Sequence, residues 1–248
     1  MKTRLKLLFP ATLALALAAC GDGGDATDAT GTAEVIAPIE APAGQSWTET
    51  VAISDDGGYV MGNPDAPIRL VEYASLTCSH CRDFEAEAFD EIANEFVASG
   101  RVSFEMRNFL LNPYDIPLSL LTRCGTPQAY FPLTRQFFAS QSDFLTAMQG
   151  KNQTAMQGAF DLPEDQRFMV LGREMGAIDY FSARGISADQ AQACLSDPAK
   201  IKELLDISQK ATNELDVSGT PTFFLNGQMY EFQGWPALKT RLQQLGAR

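Results

Sequence analysis

The chain has 248 residues, enough for one or two domains with a sizeable core. Its hydrophobic content of 45% excludes a disordered chain, and a formal net charge of −12 disfavours non-specific binding to nucleic acid or anionic lipid. That acidity serves solubility as readily as partner choice and is silent on fold.

The N-terminal residues read as a targeting segment. Lys2, Arg4 and Lys6 precede an apolar run from Leu7 to Ala19, too short to span a membrane comfortably and built like a secretory h-region. The run ends in Leu17-Ala18-Ala19-Cys20, which resembles the lipobox of bacterial lipoproteins. A signal peptide is therefore expected over residues 1–19, with Cys20 lipidated as the mature N-terminus. Ordinary cleavage that leaves Cys20 a free thiol is the alternative. Residues 20–46 are rich in Gly, Asp, Ala, Thr and Pro and read as a flexible tether with a reach of roughly 28 Å.

Order is expected from Trp47. Ile68 to Tyr73 follows a Pro-rich turn and reads as a buried strand. From Ser79 to Ala98 the pattern is helical, with Phe84, Ala88, Ile92 and Phe96 on one stripe and Gly100 as its stop. Val102 to Phe109 reads as a second strand, so Cys78-Ser79-His80-Cys81 opens the helix of a βαβ unit. Residues 115–205 are mostly helical. The pentapeptide Thr-Ala-Met-Gln-Gly occurs at 146–150 and 154–158, and its methionines read as packing. Pro198 to Leu215 is a longer helix. Thr222 to Leu225 and Met229 to Phe232 form a hairpin about Asn226-Gly227, and a last helix begins at Pro236.

The cysteines carry the chemistry. Lipidation would use Cys20, leaving Cys78, Cys81, Cys124 and Cys194, an even number that suggests two disulfides in an exported protein. Cys78 and Cys81 form a local pair, which leaves Cys124 with Cys194. A thiolate is the species active in exchange, and unsatisfied N–H groups at a helix start favour a negative sulfur. Cys78 is thus the expected nucleophile and Cys81 the buried resolving thiol. His80, the sole histidine, is placed to add a donor or charge beside Cys78. A zinc site completed by Cys124 and Cys194, a purely structural CxxC, and a second redox-active pair at Cys124 and Cys194 are the competing readings.

Val71-Glu72-Tyr73 followed by Cys78-Ser79-His80-Cys81 resembles the reactive segment of the DsbA-like branch of the thioredoxin superfamily. Ser79 stands where that branch usually has Pro. Val217-Ser218-Gly219-Thr220-Pro221-Thr222 resembles its cis-proline loop. The resemblance implies an α/β thioredoxin fold with an inserted helical domain: a thioredoxin domain at 47–114 and 206–248, and the insert at 115–205. It implies that Glu72 is a buried acid assisting proton transfer at Cys81, and that Thr220, Pro221 and Ser79 contact a bound peptide. The activity implied is dithiol oxidation of exported proteins by the Cys78/Cys81 pair, with a membrane redox partner for reoxidation. No metal or organic cofactor, no nucleic acid and a monomer are expected, in the bacterial cell envelope facing the periplasm. A reductase or isomerase, or a lipid-anchored binding or chaperone module, is the rival reading.

Overall fold

A computed structural model describes residues 33–248. The expected signal peptide and Cys20 lie outside the described residues.

Six strands form one sheet among the described residues: β1 (Val51–Ile53), β2 (Tyr59–Met61), β3 (Ile68–Ala74), β4 (Val102–Asn108), β5 (Thr222–Leu225) and β6 (Gln228–Tyr230), in the order β1-β2-β4-β3-β5-β6. Only the β3–β4 pair in this sheet is parallel. The link between them is α1 (Ser79–Glu91), which continues as a π turn over Ile92–Val97, so the expected βαβ unit is present. β3 is central, and all but Arg69 of its residues are buried. Its side chains alternate between two cores. Ile68, Leu70 and Ala74 face the main core with α1, whereas Val71 and Tyr73 join Phe109, Ala211, Val217 and Phe224 on the opposite face. The same alternation turns Glu72 toward the side of Leu70 and Ala74.

The helical insert comprises α2 (Asp115–Thr122), α3 (Tyr130–Gln149), α4 (Gln153–Ala159), α5 (Glu164–Glu174), α6 (Ala177–Ser182), α7 (Ala188–Leu195) and α8 (Pro198–Glu214), and α9 (Trp235–Gln244) closes the thioredoxin domain. α3 packs along α1. The first Thr-Ala-Met-Gln-Gly copy ends α3 and the second lies in α4; Met156 is buried and Met148 packs against the core. Asn226 and Gly227 carry φ of 50° and 81°, the two positive values that a tight hairpin turn requires.

Two expected boundaries shift. The division at 205/206 falls inside α8, which is one continuous helix: Ile201 and Leu204 belong to the main core, while Ala211 covers the far face of the sheet. The tether expectation fails for residues 33–46, which lie along the thioredoxin domain. Ala33 N–H donates to the Gln244 carbonyl, Ile36 N–H to Gly246, Ile39 N–H to Ser99, and the Arg101 guanidinium to the Ile36 carbonyl. Gly100, at φ 70°, lets this strap pass, since a Cβ there would collide with the Ile39 carbonyl.

Candidate active site

Cys78 is the N-cap of α1, with extended φ and ψ of −82° and 121°. This conformation turns its sulfur back over the helix start, where the first N–H groups have no partner in the helix. The sulfur lies 3.3 Å from the Thr220 carbonyl oxygen. Cys81, one turn later, is fully buried, and both are free thiols in this structure.

The two sulfurs are driven in opposite directions. The Cys78 thiol is lowered to about 5, first because the Cys81 thiol donates to it, then through the Thr220 hydroxyl and the N–H groups of Cys81 and His80; burial opposes this. In the dithiol form the buried Thr220 hydroxyl has no hydrogen-bond partner among the described residues, which leaves it free to donate to an anionic Cys78 sulfur. Burial pushes Cys81 far above the ordinary thiol range, and its bond to Cys78 and the nearby Glu72 charge add to this. The same helix start therefore holds one thiolate and one reluctant thiol.

Glu72 is 1% exposed in the central strand. Burial holds its carboxyl well above the usual range, aided by the charges of Glu85 and Cys78, and the group is close enough to the resolving thiol for its charge to act there. Glu85, one turn beyond Cys81, was not singled out from the sequence. It too is buried; desolvation raises it to about 7 although Arg135 donates to it at 2.7 Å. A glutamate four residues after Cys81, among the apolar positions of α1, was the signal that marked it. The Glu85–Arg135 pair lies in the wall of an apolar groove of about 710 Å³ between α1 and α3, flanked by Phe89, Phe131 and Phe138.

Thr220-Pro221 is a cis peptide bond facing the CxxC across the cleft. Beside it opens a hollow of about 390 Å³ lined by His80, Asp83, Phe84, Glu87, Pro221 and Phe232. His80 is exposed there, and among the described residues its imidazole forms no hydrogen bond; the group that reaches the sulfur is its backbone N–H. Ser79 is exposed at the first helical position. Cys124 and Cys194 are joined in a disulfide with a Cα–Cα distance of 5.9 Å, tying the loop after α2 to α7. That bond occupies both ligands on which the zinc reading depended.

Fold and site together define a thioredoxin-fold protein with the paired cysteines of thiol-disulfide exchange. The chain belongs to the thioredoxin family: the family profile described as Thioredoxin matches residues 54–244. A crystal structure of a protein-disulfide isomerase from Novosphingobium aromaticivorans is 31% identical, covers 76% of this chain and 96% of its own, and superposes with a TM-score of 0.70. Wolbachia pipientis alpha-DsbA1, 21% identical with a TM-score of 0.61, shares the fold over 76% of this chain and 90% of its own. A Rickettsia bellii relative, provisionally named a protein-disulfide oxidoreductase, is 25% identical over 177 residues, 71% of this chain and 60% of that protein. The chain thus spans less than two thirds of the length of that curated relative.

Proposed function

We propose that this protein is a dithiol oxidase that introduces disulfides into exported proteins. The observation that carries this reading is the asymmetry of the pair: Cys78 caps the N-terminus of α1 and its thiol is lowered, whereas Cys81 is sealed one turn inside and burial raises it. A stabilised Cys78 thiolate favours the reduced protein, and a couple whose reduced form is stabilised is an oxidant.

The exchange balances as follows. A substrate thiolate attacks the Cys78 sulfur of the Cys78–Cys81 disulfide, forming a mixed disulfide and expelling Cys81 as a thiolate. Cys81 takes up a proton, for which the neutral Glu72 carboxyl is the donor at hand. A second substrate thiolate then attacks the substrate sulfur, releasing the product disulfide and Cys78 as a thiolate. Two electrons pass to the pair, and a membrane redox partner removes them. The hollow beside Thr220-Pro221 receives the substrate peptide. The cysteine pair itself is the redox group, and no metal or organic cofactor enters the scheme.

Export and anchoring rest on Lys2, Arg4, Lys6, the apolar run and Leu17-Ala18-Ala19-Cys20. These support a protein tethered by lipid on Cys20 and facing the periplasm. Labelling with radioactive palmitate tests the anchor, and loss of label in Cys20→Ala is expected.

The deciding experiment is equilibration with glutathione at defined ratios. A potential near that of thioredoxin, about −270 mV, refutes the oxidase direction. The name of the Novosphingobium protein favours isomerisation as a second reading. Scrambled-disulfide refolding separates the two, since an isomerase restores native pairing without consuming oxidised pair.

A further inference from the structure

The loop that delivers Cys78, residues 75–78, is held from the helical domain by two buried polar side chains that the exchange chemistry does not use. Asp115, fully buried at the start of α2, accepts from the Ser75 hydroxyl at 2.8 Å, Thr77 N–H at 3.0 Å and the Thr77 hydroxyl at 3.1 Å. Its remaining bonds come from Leu111 N–H at 3.0 Å and Asn112 N–H at 3.3 Å, and the Asn112 side chain in turn donates to the Thr77 hydroxyl at 2.7 Å. Gln141, 1% exposed in α3, donates its amide to the Leu76 carbonyl at 2.8 Å and the Cys78 carbonyl at 2.9 Å. The Cys78 carbonyl also accepts from Arg82 N–H, the first bond of α1. A buried carbonyl or hydroxyl left without a partner costs about 1–3 kcal/mol, so these bonds fix the loop in one position.

We propose that Asp115 and Gln141 are positioning residues for the reaction: through them the helical domain sets where Cys78 stands, keeping its sulfur over the His80 and Cys81 N–H groups and against Thr220. Neither side chain is recorded within hydrogen-bond reach of the sulfur. Both act by clamping the residues on either side of the turn into α1. Sulfur–N–H attraction falls off over fractions of an ångström in a hydrogen bond, so a loosened loop weakens the thiolate even when all the groups that touch it remain. The helical domain thereby belongs to the redox machinery as well as covering the cleft.

The test is Gln141→Leu, which keeps the side chain's bulk and removes both donors. It is read against Leu133→Ala, a cavity variant about two turns earlier in the same helix. Thiolate ultraviolet absorbance gives the Cys78 titration, and glutathione equilibration gives the couple. Gln141→Leu is expected to raise the Cys78 midpoint by about one unit and to shift the equilibrium about tenfold, about 30 mV, toward a weaker oxidant. Leu133→Ala, destabilised but with the loop bonds intact, should move neither. A folded Gln141→Leu protein that titrates and equilibrates like the parent overturns the assignment. Should that variant fail to fold, Thr77→Val, which removes one hydroxyl bond to Asp115 and one from Asn112, must shift both readouts in the same direction; no shift overturns it equally. The inference rests on exchange at Cys78. An ordinary thiol titration in the parent refutes that reading and this one with it, whereas an acidic parent thiolate unmoved by the variants refutes the positioning role alone.

Discussion

Replacing Cys78 by Ala in the reduced protein should remove a pH-dependent part of its stability, and the size of that part follows from the site. The thiol titrates at about 5 in the fold against 9.0 for the unperturbed group. For an acid depressed on folding, the stabilisation is complete above the unfolded value and is lost as pH falls through the folded one. At pH 7 about two of the four units are realised, an upper bound of ~2.7 kcal/mol. Cys78 is only 7% exposed, yet it stands at the mouth of an open cleft, and solvent screening brings the expected contribution to ~1–2 kcal/mol. Urea unfolding of the reduced parent and of Cys78→Ala over a pH series measures it, because Glu72, Glu85 and Asp115 titrate in both and largely cancel in the difference. The gap between the two proteins should be small near pH 5, open by ~1–2 kcal/mol at pH 7 and keep growing toward pH 9. Curves that stay parallel, with the gap changing by less than ~0.5 kcal/mol between pH 5 and 8, refute the thiolate argument. The oxidised protein has no Cys78 thiol to ionise, so the same free energy is what makes its disulfide oxidising.

Cys81→Ala should accumulate mixed disulfides between Cys78 and substrate peptides, visible by non-reducing mass spectrometry, because the resolving thiol is gone; a variant that turns over normally refutes the assignment of roles. Glu72→Gln should slow exchange at Cys81 by at least about tenfold while raising stability at neutral pH. The sign follows from burial: a carboxyl raised on folding costs stability wherever the unfolded chain has ionised and the folded one has not, and Gln removes that cost. Unchanged exchange kinetics would rule Glu72 out as the proton donor. Joint replacement of Cys124 and Cys194 by Ser opens a closure of sequence separation 70 and should lower unfolding stability by about 2–4 kcal/mol, with Cys78 keeping its acidic titration. Loss of that titration would make the bridge part of the redox centre. Gly100→Ala should cost more than about 1 kcal/mol, read by thermal unfolding, because residue 100 combines positive φ with the passing strap; an unchanged midpoint would mean residues 33–46 do not dock in solution.

What was legible in the sequence is what is local. The strand, the CxxC and the helix are contiguous, so position alone puts Cys78 at a helix start. Thr220-Pro221 and the Asn226-Gly227 turn are short motifs with a backbone purpose. Glu72 was marked by the resemblance, which implies a buried acid six residues before Cys78, in a strand that is otherwise apolar. The rest depended on tertiary neighbours. Asp115 carries no motif in the sequence, yet three of its five side-chain hydrogen bonds come from the reactive loop some forty residues away. Gln141 sits in an aromatic-rich helix with no mark of its role. The strap at 33–46 has a linker's composition, and its docking is carried largely by backbone hydrogen bonds, which composition does not encode. The division at 205/206 cuts through the helix expected over Pro198 to Leu215, and α8 serves both cores with different turns of that one helix.

His80 stands where the motif places it, beside the cis-proline loop. The Cys-x-His-Cys pattern invites the imidazole to stabilise Cys78; among the described residues that ring makes no hydrogen bond, and the N–H of the same residue contributes after the Cys81 thiol, the Thr220 hydroxyl and the Cys81 N–H. The backbone donors at positions 80 and 81 are present whatever side chains stand at 79 and 80, so the CxxC spacing alone cannot set how acidic Cys78 becomes. What can vary between proteins of equal spacing is how firmly the sulfur is held over those donors and which hydroxyl stands opposite. Here the first depends on Asp115 and Gln141 in the helical insert, and the second on Thr220 beside the cis bond. The inserted domain and the cis-proline loop therefore grip the same sulfur from two sides, and the poise of the couple depends on that grip as well as on the two residues between the cysteines.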